Sequence, residues 1–546
     1  MSARICGVAL VAACLVAGCG GGGSSSPSSS PAGGGGSSGS PPPGPGVDVT
    51  TYHNDVARTG QNLRETALTP ANVNPASFRK LRTLAVDGKV DAQPLVLANL
   101  QVNGAAHEVV FVGSEHGTAY AFDANSGAVL WQRSLLGANE SPGDGQGCNQ
   151  VVPEIGITAT PVIDRAAGTI WMVAMSRTAG GSYVQRLHAL DVSTGAERSG
   201  SPQTIAASYP GTGVEGSGGT LHFDPRLHKA RMGLLLLDGV VYSSWSSHCD
   251  AGSYSGWIMG HDASSLAPVS VLNLAPNGMG NALWSSNTAP AADAQNNIYA
   301  LTGNGTLDTA LDGSGFPAQR DFGNSFVKIA TANRQLAVTD YFSMSNSAAE
   351  SNADQDLGSG GAMVLPDLRD AAGATRHLLV GAGKDRHIYL VDRDDLGKFT
   401  ASANAIYQDL PNGLAGGEFG MPAWFNGAVY YGAVGASLAA FRMNQARLPA
   451  APNDVTATRF GYPGTTPSIS ADGSSNGIVW AVENAGTAVL HAYDAANLAH
   501  ELYNSSQAAG GRDAAGPGNK FMTPTVANGK VYVPTANGVT VYGLGP

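Results

Sequence analysis

Charge is scarce in this chain. Asp, Glu, Lys and Arg make up 13% of the residues, and the formal net charge is −11. No basic stripe runs along it, which argues against nucleic acid as a partner, because a phosphate backbone selects a basic face. The apolar stretch at 5–16 is too short for a spanning helix, which needs ~20 residues. Cysteine is sparse as well, with five in 546 residues. No C-x-x-C-H haem-attachment motif occurs. Glycine, by contrast, reaches 73. Many glycines with little charge describe a turn-rich, many-stranded all-β protein. At this length one ordinary core is excluded unless the fold is a large barrel or propeller.

The N-terminus reads as a targeting segment and drops out of fold reasoning. Arg4 supplies the positive charge, the apolar stretch follows, and Val16-Ala17-Gly18-Cys19 closes it. This resembles the bacterial lipoprotein cleavage box, which implies a signal peptide at 1–18 and diacylation of Cys19. Gly20 is not the Asp associated with inner-membrane retention, so the resemblance implies the outer membrane. Residues 20–46 are Gly, Ser and Pro apart from Ala32. Such a segment buries no apolar surface and serves as a disordered tether. Cys6 and Cys14 leave with the signal peptide, so Cys148 and Cys249 remain in an oxidising compartment. Two leftover thiols there most often form a disulfide; separate burial and a metal site are the alternatives.

One unit recurs along the rest of the chain. It opens on a short strand, often with Pro, and continues through two longer strands and a polar turn. The first copy runs Gln93-Pro94-Leu95-Val96, "VVFVGS" (109–114), "AYAFD" (119–123) and "LWQRSL" (130–135). The second has "TATPVID", "IWMVAMS" and "RLHALD", and further copies follow to the C-terminus. The eighth, "TPTVANG…VYVPT…VTVYG", stops one strand short. The alternating run "FRKLRTLAV" (78–86) is placed to complete it. The expectation is an all-β, eight-bladed β-propeller over 47–546, closed by an N-terminal outer strand. Seven blades with a degenerate insertion is the competitor. Spacings between Asp123, Asp191 and Asp262 exceed a minimal blade of ~40–45 residues, so inserted loops are expected in the first half. "AYAFDANSGAVLW" (119–131) is architectural: Asp123 and Gly127 turn the chain, and Trp131 packs between neighbours.

Three segments carry chemistry by their order. They are "TYHNDVARTGQNLRETALTPANV" (51–73), "GNALWSSNTAPAADAQNNIYALTGNG" (280–305) and "GKDRHIYLVDRDDLG" (383–397). Together they resemble the quinoprotein alcohol dehydrogenase family, including its polyvinyl-alcohol-dehydrogenase-like members. The resemblance implies pyrroloquinoline quinone (PQQ) with Ca2+, a hard cation that takes oxygen ligands and polarises the quinone as a Lewis acid. It matches Trp284 to the tryptophan beneath the quinone and Lys384 to a basic residue facing the quinone oxygens. Asn304 and Asp250 match metal ligands, and Asp354 or Asp356 the catalytic aspartate. Each residue also has a plain structural reading: Trp284 in the core, Asn304 in a turn, the aspartates in a solvated loop, Lys384 at the surface. The adjacent cysteine pair of that family is missing. Two roles lead, ahead of a third, a carbohydrate-binding or polysaccharide-active surface protein. The first is a lipid-anchored binding or scaffold module at the cell envelope, engaging an envelope protein or a small or polymeric ligand, as in the lipoprotein propeller of the outer-membrane assembly machinery. The alternative is a PQQ- and Ca-dependent dehydrogenase acting on an alcohol or sugar.

Overall fold

A computed structural model describes residues 46–545. The proposed signal peptide, Cys19 and nearly all of the tether lie outside the described residues. The described chain is almost entirely β, with one short α-helix at Ser347–Asn352, and no helix long and apolar enough to cross a membrane.

Eight antiparallel sheets of four or five strands follow one another. The first holds Leu95–Val102, Ala105–Gly113, Thr118–Asp123 and Val129–Ser134. The eighth holds Thr525–Ala527, Lys530–Thr535, Gly538–Leu544 and Phe78–Ala85. In that last sheet Phe78 pairs with Leu544 and Ala85 with Gly538. In the fourth and seventh sheets a short parallel strand is added, Lys398–Phe399 and Gln61–Asn62 respectively. An excursion between Asp191 and Asp262 forms a separate three-stranded sheet within 208–222, in keeping with the excess spacing there.

The turn chemistry repeats. The Asp123 carboxylate accepts the backbone N–H groups of Asn125 and Ser126, and Gly127 takes a positive φ of 78°. Asp191 does the same for Ser193 and Thr194, with Gly195 at 67°. Asp262 holds Ser264 and Ser265. Such Asx turns are cheap for Asp because its side chain reaches its own backbone two residues on. Trp131 is buried and donates its indole N–H to Val192 O in the second sheet, 2.9 Å. It lies so close to Gly195 that a Cβ there would meet its ring at 2.6 Å.

The sheets pack face to face in chain order. One apolar cluster joins the second and third sheets, and others join the third and fourth, fourth and fifth, fifth and sixth, and sixth and seventh. The seventh and eighth meet through Phe78, Trp480, Tyr503 and Tyr542. A further cluster carries Tyr532, Val539 and Val541 of the eighth sheet together with Phe111 of the first and Ile170 of the second.

Residues 49–62 form a strap whose backbone serves the inner strands in the same order. Val49 bonds with Val96, and the carbonyls of Thr50, Val56, Ala57, Thr59 and Gly60 accept from Ile163, Ala292, Val364, Trp424 and Ile469. Asn62 then donates to Val526 O of the eighth sheet. Arg58 locks this strap. Its fully buried guanidinium donates to Pro290 O, Thr51 Oγ1 and Tyr52 O, each at 2.8 Å.

Candidate functional site

Loops at one end of the strands converge on one small cavity. Trp284, Asp250, Asp356 and Lys384 line it, together with Gln150, Arg231, Ser359, Phe419, Tyr462 and Phe521. Its volume is about 50 Å³, room for one or two waters. Trp284 is 6% exposed, packs edge-on against Tyr254 at 6.1 Å, and its indole nitrogen has no partner. Gly303 of "TGNG" makes that placement possible, because a Cβ there would lie 2.6 Å from the Trp284 ring and 2.8 Å from Asp356 Oδ1.

The carboxylates divide by depth. Asp356 is 6% exposed; its Oδ1 accepts the Asn304 backbone N–H at 2.6 Å, and Oδ2 pairs with Lys384 Nζ at 2.6 Å. Asp354 leaves 74% of its side chain in solvent, bonds Lys384 Nζ at 2.7 Å, and forms no part of the wall. Between the two aspartates, the geometry therefore puts Asp356 at the cavity. Burial pushes its carboxyl up, with the Lys384 charge opposing. Burial also works against the Lys384 ammonium, yet Asp356 and Asp354 hold it above its ordinary value. Asn304 sits behind the wall. Its amide donates to Asp354 Oδ1 at 3.0 Å, and its carbonyl oxygen accepts from Asn324 at 2.9 Å. Asp250 accepts a hydrogen bond from the Tyr254 hydroxyl.

Cys148 and Cys249 form a disulfide across 101 residues. It staples the segments that bring Gln150 and Asp250 to the wall. Replacing both cysteines by serine is expected to cost about 2–4 kcal/mol, read from urea unfolding, and to loosen ligand binding at the cavity.

Phe419, Tyr462 and Phe521 were not singled out from sequence. Their signal is positional: each stands shortly before the proline that leads into an inner strand, Pro422, Pro467 and Pro524. Gln150 and Arg231 had no comparable signature. Beneath Phe419, Glu418 is fully buried; its Oε1 accepts Gly420 N–H at 2.7 Å, and Oε2 has no partner. Desolvation pushes its pKa up to about 7. The folded state therefore keeps a proton that the unfolded chain releases near 4.5. This contribution to stability is full below pH 4.5 and is lost as pH rises through 7. Glu418→Gln is expected to flatten that loss by on the order of 3 kcal/mol between pH 4.5 and 7.5, measured as paired urea midpoints.

A larger cleft of about 760 Å³ opens on the strap side, among Gln61, Asp293, Arg393 and Trp424. None of the sequence-selected residues lies in it. Its charges are spent internally, with Arg393 3.5 Å from Asp293 and His377 2.8 Å from Asp394.

The fold is a β-propeller. It is similar to a quinohemoprotein alcohol dehydrogenase from Comamonas testosteroni, with TM-score 0.59 and 14% identity over 91% of this chain and 80% of that one. A quinohemoprotein alcohol dehydrogenase from Pseudomonas putida gives 0.55 and 14%, with the same shares covered. A europium-containing methanol dehydrogenase gives 0.58 and 13%, covering 92% of this chain and 98% of that one. No protein-family model and no curated protein matches the sequence.

Proposed function

We propose that residues 47–546 form an eight-bladed propeller closed by Phe78–Ala85, and that the cavity ahead of the inner strands holds a planar quinone of the PQQ class for oxidation of an alcohol or sugar. The ordered strap bonds and the cluster shared by the eighth, first and second sheets support the ring. The observation that carries the function is the convergence of Trp284, Asp356 and Lys384, distant in sequence, on one wall. It favours the dehydrogenase over a binding or scaffold role.

The quinone suits the donors on hand. Trp284 offers a flat floor, and its unpartnered N–H, like the unpartnered Nε of Arg231, suits a polar ligand. The cavity, about 50 Å³, is smaller than a tricyclic quinone, so the ligand would have to displace Tyr462, which is 47% exposed and packs edge-on against Phe419 at 5.5 Å. The cation fits less well. Asp250 and Asp356 are hard oxygen donors facing the cavity, but Lys384 already neutralises Asp356, and the Asn304 carbonyl is engaged. No group of three His, Cys, Asp or Glu among the described residues is arranged for a metal. Ca2+ would have to displace the Lys384 ammonium, and no step is routed through it.

A quinone held there would supply a two-electron acceptor for the substrate's hydride. The chain supplies the rest. Asp356 Oδ2, released from Lys384, takes the proton of the substrate hydroxyl. Lys384 would then donate toward the ligand oxygens, and Trp284 would fix the plane of the ring. Export with a lipid on Cys19 and a tether at 20–46 would set this chemistry at the outer membrane. Purified protein mixed with PQQ and Ca2+ is expected to reduce an artificial dye when a primary alcohol or aldose is added. Absence of dye reduction across a panel of such substrates, with PQQ bound, would return the scaffold role to first place.

A further inference from the structure

The strap-side cleft, about 760 Å³, has the size of a small-molecule site, and the chemistry of the mouth cavity makes no use of it. Turns of the fourth and fifth sheets enclose it, together with the strap and Trp424 of the sixth sheet. Asp293 and Gln295 come from the turn between Ala291–Ala292 and Ile298–Leu301. Arg393 and Asp394 follow the strand Ile388–Asp392, and Asp367 and His377 flank the hairpin that pairs Leu368 with Arg376.

The polar groups of this cleft face one another without closing. Asp367 leaves 66% of its side chain in solvent, and its carboxylate accepts no hydrogen bond among the described residues. Its Oδ1 stands 3.8 Å from both Arg393 Nη2 and His377 Nε2, beyond hydrogen-bond distance. Arg393 Nη1 is 3.5 Å from Asp293 Oδ2, at the far edge of that distance. The side-chain amides of Gln61 and Gln295, also in the wall, have no partner among the described residues.

An ion suits this wall poorly. The carboxylates of Asp293, Asp367 and Asp394 oppose an anion, and Lys328 and Arg393 oppose a cation. A hydroxyl group suits it well, because one oxygen both donates and accepts. Placed beside Asp367, it would donate to the carboxylate and accept from the guanidinium or the imidazole. The remaining wall is apolar, with Val56, Val364, Leu365, Pro366 and Trp424. A ligand with a rim of hydroxyls around a C–H face matches both halves, and that is a sugar ring.

We propose that the strap-side cleft is a binding site for a neutral saccharide, with Asp367 and Arg393 taking adjacent hydroxyls of one pyranose ring. The site does not depend on the quinone reading, and its test uses no quinone. Calorimetric titration of the quinone-free protein with glucose, galactose, maltose and cellobiose is the experiment, with cyclohexanol as the single-hydroxyl control. At least one sugar is expected to saturate with Kd on the order of 1 mM or tighter, and cyclohexanol is not. Asp367→Ala should weaken that sugar by about 10-fold at an unchanged urea midpoint, since the side chain is mostly in solvent. Arg393→Gln should weaken it as well, and Asp367→Asn should recover part of the Asp367→Ala loss. Trp284→Ala, at the mouth, should leave it unaltered. Failure of every sugar to saturate overturns the site, and so does equal binding of cyclohexanol or sugar binding indifferent to Asp367→Ala. Binding that is lost in Trp284→Ala and kept in Asp367→Ala also overturns it, by placing the sugar at the mouth cavity.

Discussion

Phe78→Ala is expected to lower the unfolding free energy by about 3–5 kcal/mol, among the largest effects of any single truncation in this chain. The side chain is fully buried where the seventh and eighth sheets meet. Its ring centroid is 5.0 Å from Tyr503, 5.4 Å from Trp480 and 6.3 Å from Tyr542. Trp480 and Tyr503 belong to the seventh sheet and Tyr542 to the eighth, while Phe78 itself comes from the N-terminal part of the chain. Truncation therefore opens a cavity where the N-terminal strand Phe78–Ala85, paired with Gly538–Leu544, packs against the seventh sheet. The surrounding rings are held by hydrogen bonds, Trp480 to Ser470 and Tyr542 to Asp513 O, so they cannot collapse to fill it. Urea unfolding at neutral pH measures the loss. A cost below about 1 kcal/mol, typical of surface sites, would mean that Phe78–Ala85 is a dispensable edge and not the closing strand.

Asp356→Asn is expected to reduce quinone-dependent dye reduction by about 10²- to 10⁴-fold, the usual contribution of a positioned general base. Stability should change little, since the amide can still accept the Asn304 N–H. The change also frees Lys384 from its buried partner while leaving Asp354 in place. The matching change Asp354→Asn therefore separates the two aspartates. Its side chain is largely solvated, and about a 10-fold effect or less is expected there, below the range of a positioned base. Steady-state rates with saturating quinone give both numbers. Equal losses in the two variants would assign the effect to the Lys384 charge balance and not to proton transfer at Asp356.

Much of the architecture could be read from the sequence because its causes are local. An Asp followed by Ser or Thr and a Gly makes the same turn at 123–127 and 191–195 whatever surrounds it. The strand at 78–86 announces itself by alternation, and the missing strand of the last unit gives it a place to go. The strap is different. Its hydrogen bonds to successive sheets are made by backbone carbonyls, which leave no trace in residue identity. At the cavity, Trp284 and Lys384 were marked by the motif segments, and Asp356 was one of two aspartates the sequence left open. Arg231 and Gln150 were not marked: a lysine on a short strand and an arginine just after it read as a solvated face until the fold buries them. The pairing of Lys384 with both aspartates was equally hidden, and it bears most on whether a metal can enter.

The central claim is that the mouth cavity takes a planar quinone against Trp284. Calorimetric titration of wild-type protein with PQQ, with and without Ca2+, tests it most directly. One molecule bound per chain, with the binding abolished in Trp284→Ala at unchanged fold, is the predicted result. No saturable heat under either condition, or binding indifferent to Trp284, would contradict it.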